Sequence, residues 1–143
     1  KKVNKNKIIH SISFHQRIYT PRRVSWNDPG DFDRPYAGLL GLSFNKEFYF
    51  KKKDYLKTSF ELGLIGPNTQ TDNFQITWHT ILNIPIPAGW EYQIANSPVI
   101  NFHAIYARKL LGNGTLDLYS ESRLSIGTVF NQFSQRYFED KTP

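Results

Sequence analysis

The 143-residue sequence contains no cysteine and no methionine. It therefore offers no disulfide framework, no cysteine-based zinc site and no thiol nucleophile. Long hydrophobic runs are also missing, since no stretch approaches the roughly 18–20 apolar residues of a membrane-spanning helix. The lysine-rich start is followed by no apolar segment, so we expect no signal peptide within the sequence. These absences argue against a helical membrane protein.

Basic residues outnumber acidic ones, with 18 Lys and Arg against 12 Asp and Glu, which gives a net charge of +6. Such a balance favours nucleic acid or an anionic membrane surface as a partner. The basic residues are not interleaved with aromatic residues on one predicted sheet face, as they are on surfaces that bind single-stranded nucleic acid. We therefore expect no nucleic-acid partner.

Five stretches alternate apolar and polar residues with a period of two, which predicts half-buried β-strands. They begin near Ile8, Tyr36, Tyr55, Pro98 and Thr115. Each runs for about ten residues, which is longer than most strands of globular sheets and matches a tilted strand that crosses a bilayer. Either the remaining segment, residues 131–143, contributes little and the sheet stays open, or strands of the barrel are missing at both ends of the sequence.

The predicted connections alternate between long and short. Residues 20–33 and 66–97 form long connections, whereas residues 51–54 and 112–114 form short turns. This pattern is typical of outer-membrane barrels, which have long extracellular loops and short periplasmic turns. Aromatic residues near the strand ends fit two interfacial girdles: Phe48, Tyr49 and Phe50 at one end, and Tyr19, Trp26 and Tyr36 at the other.

The sequence therefore predicts an all-β protein, an antiparallel transmembrane β-barrel, with residues 1–143 forming part of a single barrel domain. Five strands cannot close a barrel, which needs about eight, so we expect a partial barrel from a longer polypeptide. The alternative is a soluble sandwich or lipocalin-like barrel whose apolar faces turn towards a core. Charged residues on the opposite faces favour a polar barrel lumen: Glu61, Glu121 and Arg123.

The third connection contains a predicted short helix. Thr71 or Asp72 is expected to cap its start. One face then carries apolar residues, and another carries Gln75 and His79 one turn apart, so that an amide and an imidazole point the same way. The alternative is two polar residues on a solvated helix face. The apolar residues are Phe74, Trp78 and Ile81.

Four stretches, in order, resemble the outer-membrane lipid A deacylase family of 3′-O-deacylases. They are Gln-Arg-Ile-Tyr-Thr-Pro at 16–21, Asp-Arg-Pro-Tyr-Ala-Gly at 33–38, Gly66-Pro67 followed by Gln75 and His79, and Gly-Trp-Glu-Tyr-Gln at 89–93 with Asn96 and Pro98. The resemblance spans about residues 8 to 110. It implies a twelve-stranded barrel of the bacterial outer membrane, roughly twice this length, of which the chain would be the early-to-middle part.

The resemblance also implies calcium-dependent hydrolysis of an acyl ester on lipid A, with lipopolysaccharide and outer-membrane lipids as partners. His79 matches the family histidine, a candidate general base, and Gln75 matches its amide partner. Such chemistry needs a base together with a cation or hydrogen-bond donors for the oxyanion. The calcium-associated Asn-Asp pair of the family would lie upstream of Lys1, and the carboxylate that one member carries six residues after the histidine is Pro85 here.

Arg22, Arg23 and Arg34 are candidates for binding the phosphates of lipid A through bidentate contacts. The alternative is that Arg22 and Arg23 are solvated and that Arg34 forms a structural salt bridge with Asp33. The Asn- and Asp-rich residues 27–33 lack the spacing and the terminal Glu of an EF-hand calcium loop.

Two hypotheses of function follow, together with a weaker third. The first is an outer-membrane hydrolase that removes an ester-linked acyl chain from lipid A. The second is a non-catalytic barrel subunit of a larger outer-membrane protein complex. The third is a soluble lipid-binding barrel.

Overall fold

The computed structural model describes residues 7–25, 28–50, 54–112 and 116–141. Within them, six strands form one antiparallel sheet in the order of the sequence, with β1 and β6 at its edges. A single α-helix lies in the connection between β3 and β4. The elements are β1 (Lys7–Tyr19), β2 (Ala37–Tyr49), β3 (Tyr55–Ile65), α1 (Thr71–Ile81), β4 (Ser97–Gly112), β5 (Leu116–Gly127) and β6 (Gln132–Lys141).

The five predicted strands are confirmed, but the predicted number of strands is wrong. The C-terminal segment contributes a sixth strand, Gln132–Lys141, which pairs with β5 from Leu116↔Lys141 to Ser125↔Gln132. Most residues of β6 are polar or charged, so its alternation is faint in the sequence. An ion pair stabilises the pairing of β6 with β5, because Arg136 lies directly opposite Glu121 and approaches its carboxylate at 2.7 Å.

Some predictions fall on residues outside the described ranges. These are most of the predicted short turns at residues 51–54 and 112–114, of which only Asp54 and Gly112 are described, together with Trp26 of the predicted aromatic girdle. On either side of the first turn, the Phe50 amide donates a hydrogen bond to the Asp54 carbonyl at 2.9 Å. The chain therefore reverses between β2 and β3 within a few residues.

The two faces of the sheet differ in the sense expected of a membrane barrel. Apolar side chains on one face are exposed: Leu42, Phe60, Leu62 and Phe102 have between 38% and 44% of their surface accessible. On the opposite face Ser43 is 7% exposed, and the nearby Glu61 is fully buried. A soluble sandwich would bury its apolar face against a core, so this inverted pattern supports the barrel. None of the described helices is long and apolar enough to cross a membrane.

The chain divides into two compact units, which we describe separately. The first comprises residues 1–13, 43–61 and 100–143, and its inner face is polar. The Asn101 amide donates to the buried Glu61 carboxylate at 2.8 Å, and His103 Nε2 lies 3.1 Å from the same oxygen. Lys109 pairs with the buried Asp117. Buried carboxylates are costly unless they are paired or hydrogen-bonded; here Asp117 has Lys109 as its partner and Glu61 accepts a hydrogen bond from Asn101.

The second unit comprises residues 14–42 and 62–99, and it has an apolar core. An aromatic cluster links its two long connections: Tyr36 packs at 5.5 Å from Phe32 and 5.0 Å from Trp90. Burial raises the pKa of Tyr36, and its protonated hydroxyl donates to the Val24 carbonyl at 2.9 Å. The other buried apolar residues of this unit are Ala37, Leu39, Ile65 and Val99.

Cysteine labelling tests the assignment of the two faces, since the sequence contains no native cysteine. We expect single cysteines on the outward face of the reconstituted protein to react with a lipid-soluble maleimide, and those on the inner face to remain unlabelled. Comparable labelling of the two sets would contradict the barrel. The outward positions are Leu40, Leu42, Phe60, Leu62, Phe102 and Leu118, and the inner ones are Ser43, Glu61, His103 and Glu121.

Candidate active site

The chain leaves β3 through Gly66, which has a φ of +113°. A Cβ at this position would lie 2.7 Å from the backbone nitrogen of Asn96, so only glycine fits here. The Gly66 amide donates to the Gly38 carbonyl at 2.9 Å, and the Asn68 amide donates to the Asn96 side chain at 2.9 Å. These bonds fix both ends of the connection that carries α1.

The predicted cap of α1 is wrong. The residue before the helix is Gln70, which is left-handed and provides no side-chain cap, and Thr71 is the first helical residue. The Thr71 hydroxyl accepts a bond from Gln16 Nε2 at 2.8 Å and lies 2.9 Å from the Thr69 hydroxyl. Because the single proton of Thr69 goes to the Gly66 carbonyl at 2.7 Å, Thr71 must donate to Thr69. Its oxygen is therefore used in tertiary contacts.

The start of α1 packs against the outward face of the sheet. A Cβ on Gly38 would lie 2.3 Å from side-chain atoms of Thr69 and Thr71. By strand alternation, Gly38 shares its face with Leu42, and Gln16 shares its face with Phe14, and both of these partners are exposed. The helix thus begins on the apolar side of the strands. The sequence alone did not predict this placement.

Gln75 and His79 lie one turn apart on the inner side of α1, where both are half-buried. A solvated helix face, the alternative considered above, does not describe them. Gln75 Oε1 accepts a hydrogen bond from the Trp90 indole N–H at 3.0 Å, and His79 Nδ1 lies 2.5 Å from the carbonyl oxygen of Pro85. The residues that follow the helix therefore hold both side chains.

The contact of His79 with Pro85 fixes the tautomer of the imidazole. A carbonyl oxygen can only accept a hydrogen bond, so Nδ1 must carry the proton and the neutral ring has its lone pair on Nε2. This is the orientation that a histidine base requires. Pro85 occupies the position where one family member has a carboxylate, and its backbone carbonyl supplies an acceptor there.

Trp90 connects the site to the aromatic cluster. It is 5% exposed and lies between Gln75 and Tyr36. The preceding residue has no room for a side chain, because a Cβ on Gly89 would lie 2.4 Å from the Phe32 ring. Sequence reasoning assigned Gln16, Tyr36 and Trp90 no role in the site, although all three belong to the stretches that carry the family resemblance.

The three candidate arginines lie in and just after the first long connection. The Arg22 amide donates to Asp33 at 2.8 Å, and Arg34 forms the expected salt bridge with Asp33 at 3.3 Å. The Arg22 amide, aided by Arg34, lowers the pKa of Asp33. Both partners of the salt bridge are exposed, so it contributes little stability. Arg23 is also exposed, and among the described residues no hydrogen bond joins Arg22 or Arg34 to Gln75 or His79.

Carboxylate and imidazole ligands for the calcium ion that the resemblance implies are sparse among the described residues. No group of three or more His, Asp or Glu within this part of the chain is placed to bind a metal. One carboxylate oxygen, Oδ1 of Asp72, is buried without a hydrogen-bond partner among the described residues and is therefore available as a metal ligand. Calcium takes six to eight oxygen ligands, so this single oxygen does not make a site.

Comparison with known proteins identifies the family. The family described as Outer membrane protein LpxR matches residues 1–135. The chain belongs to the LpxR family. The family resemblance and the outer-membrane location predicted from the sequence are therefore confirmed. No curated protein matches the chain.

A solved structure shares the LpxR fold with this chain. LpxR from Salmonella typhimurium matches it with a TM-score of 0.74 and 20% sequence identity. The match covers 88% of this chain and 44% of that one, so the chain spans less than half the length of the LpxR structure. The six-stranded sheet thus corresponds to part of that barrel.

The substitution Gly38→Ala tests the docking of α1. Its methyl group would overlap Thr69 and Thr71, and overpacking of this kind typically costs about 1–3 kcal/mol, or roughly 5- to 150-fold in an opening equilibrium. We expect faster amide hydrogen exchange in residues 71–81, with β5 unchanged. Gly30→Ala is the matched control, because its Cβ would meet only the exposed Asp28 side chain, at 3.3 Å. Unchanged exchange in Gly38→Ala would refute the packing described here.

Proposed function

We propose that the protein is an outer-membrane hydrolase that removes an ester-linked acyl chain from lipid A. One observation carries the proposal. His79 is held as a base, with its Nδ1 proton on the Pro85 carbonyl, and it lies on a helix that begins on the lipid-facing side of the strands. An ester in the outer leaflet can approach a base in that position without entering the barrel.

In the proposed reaction, Nε2 of His79 takes a proton from a water molecule as the water oxygen attacks the ester carbonyl carbon. The tetrahedral intermediate then collapses and the bond from carbon to the alcohol oxygen breaks. The proton on Nε2 passes to the departing alkoxide, and the acyl chain leaves as a carboxylic acid. The Pro85 carbonyl stabilises the transient imidazolium by accepting its Nδ1–H.

Gln75 is suited to bind the ester carbonyl. Because the Trp90 indole can only donate, the oxygen of the Gln75 amide must face it, and the NH₂ group points elsewhere. That group could donate to the oxyanion that develops during attack. Trp90 would then act as a positioning residue, since it fixes the amide without touching substrate.

The remaining parts of the proposal come from the family resemblance. Arg22, Arg23 and Arg34 would contact the phosphates of lipid A, because guanidinium groups bind phosphate in a bidentate manner. Calcium would stabilise negative charge on the reacting ester, with ligands expected outside the described residues. Chelation should therefore abolish the activity of the whole protein.

One observation favours the second candidate function, a non-catalytic barrel subunit of an outer-membrane protein complex. Pro85 replaces the carboxylate that one family member carries six residues after the histidine. A neutral carbonyl stabilises an imidazolium less than a carboxylate does. The activity assay below distinguishes the two candidates.

Substitution of His79 tests the catalytic assignment. General-base catalysis typically contributes about 10²–10⁴-fold, so we expect His79→Ala to lose activity by that factor. Gln75→Ala should lose less, because an amide supplies a hydrogen bond and no proton transfer. The measurement is acyl release from lipid A followed by mass spectrometry, and Thr80→Ala, on an exposed part of the same helix, is the control. If the wild type releases no acyl chain in the presence of calcium, the result favours the subunit hypothesis. Full activity of His79→Ala would refute the assignment of His79 as the base, but not the hydrolase itself.

A double-mutant cycle tests the role of Trp90. Trp90→Phe keeps an aromatic ring in the cluster but removes the N–H that holds Gln75. A hydrogen bond contributes about 0.5–1.5 kcal/mol, so we expect a decrease in kcat of roughly two- to tenfold. The same substitution in the Gln75→Ala background should cause no further decrease, because coupled residues are not additive. Independent, additive losses would mean that Trp90 does not act through Gln75.

A further inference from the structure

The exposed surface of α1 is divided into two strips. At 100° per residue, an apolar strip runs along one side, with Phe74 48%, Trp78 47% and Ile81 65% exposed. A polar strip of Asn73, Thr77 and Thr80 runs beside it, and all three of these residues are also exposed. The third side of the helix carries Gln75 and His79. A short helix thus has separate apolar, polar and catalytic sides.

Apolar residues that directly follow the helix are exposed as well. Leu82 is 60%, Ile84 43% and Ile86 53% exposed. The ring of Phe74 stands edge-on to Trp78, with 6.1 Å between ring centroids, which makes one continuous aromatic surface. Large contiguous apolar patches are rare on surfaces that face water, so this strip has an apolar partner.

The strands of the same unit indicate which partner this is. Ile18, Leu42 and Leu62 are 38% to 40% exposed, and in an outer-membrane protein such outward apolar residues face lipid. The helix begins on this outward face, at Gly38 and Gln16. Its apolar strip therefore extends a surface that already faces the bilayer.

The polar strip limits how deeply the helix can lie. Amphipathic helices that rest in a membrane interface have Trp, Phe or Leu on one side and polar residues on the other. Trp78 belongs to the residue types that are enriched at the level of lipid head groups. Asp72 and His79 are the only titratable residues of α1, so the helix offers few charges to a protein partner, and lipid fits it better.

We propose that α1 lies in the outer-leaflet interface, with Phe74, Trp78 and Ile81 among lipid acyl chains, and that this strip seats the acyl chain to be cleaved. Gln75 is three positions before Trp78 and His79 directly follows it, so an acyl chain along the strip would bring its ester to the catalytic side. This second step rests on the proposed deacylase function, whereas immersion of the helix does not.

Spin labelling tests the immersion of the helix. Single cysteines at Phe74 and Ile81 would carry a nitroxide, with Thr77→Cys and Thr80→Cys as controls on the polar strip. The whole protein is reconstituted in vesicles of phospholipid and lipopolysaccharide. Collision with molecular oxygen, which concentrates in lipid, should be greater at positions 74 and 81, and collision with a water-soluble nickel chelate should be greater at 77 and 80.

Two outcomes would overturn the immersion. Equal access of the nickel chelate to all four positions would mean that the helix stands clear of the bilayer. Protection of positions 74 and 81 from both reagents would mean that a protein segment covers the strip. Neither accessibility measurement depends on catalysis, so the position of the helix can be determined even if the protein is inactive.

A comparison of substrates tests the acyl seat. Ile81→Ser should lower kcat/KM for lipid A in vesicles by about tenfold or more, because burying an isoleucine side chain is worth that factor in binding. Hydrolysis of a short-chain, water-soluble ester should be unchanged, and Thr80→Ser should affect neither substrate. Equal losses on both substrates, or no loss on lipid A, would overturn the seat. If the wild type hydrolyses neither ester, the proposed function fails and the seat fails with it, while the labelling result still stands.

Discussion

The contact between α1 and the sheet exists because residue 38 has no side chain. Thr69 and Thr71 occupy the space that a Cβ of Gly38 would need, and Gln16 donates to Thr71 from the neighbouring strand. This contact sets the side of the strands on which the helix starts. The direction in which Gln75 and His79 point follows from that placement.

The site relies on a few fixed contacts around a mostly exposed helix. The backbone of Pro85 sets the tautomer of His79, and Trp90 sets the orientation of the Gln75 amide. Trp90 in turn packs on Tyr36, which lies just before β2. Gln75 is thus connected through the aromatic cluster to the start of the strand against which the helix docks, whereas His79 is held by Pro85.

The elements were predictable where the sequence signal is local. Long period-two runs identified five strands, and the i, i+4 spacing placed Gln75 and His79 on one side of the helix. Strand β6 was not predicted because its pairing depends on contacts with β5, such as that between Arg136 and Glu121, and not on a local apolar pattern. The capping prediction failed because a distant residue, Gln16, bonds the hydroxyl of Thr71.

The features that position Gln75 and His79 are the least local. Nothing near α1 in the sequence specifies the face of the sheet on which it docks, because that depends on a glycine more than thirty residues earlier. The bond from Trp90 to Gln75 spans 15 residues, and no local pattern predicts it.

The connection that carries the site also joins two halves of a hairpin, and it has a kinetic consequence. Between β3 and β4 the chain runs through residues 66–96, whereas three residues separate β4 from β5. The free-energy cost of closing a loop grows as three halves of RT times the logarithm of its length. Closing the β3–β4 connection therefore costs about 2 kcal/mol more than closing the β4–β5 turn. The bonds from Gly66 to Gly38 and from Asn68 to Asn96 shorten the effective loop. Strands β3 and β4 should therefore pair late in folding, after the connection between them has packed against the strands.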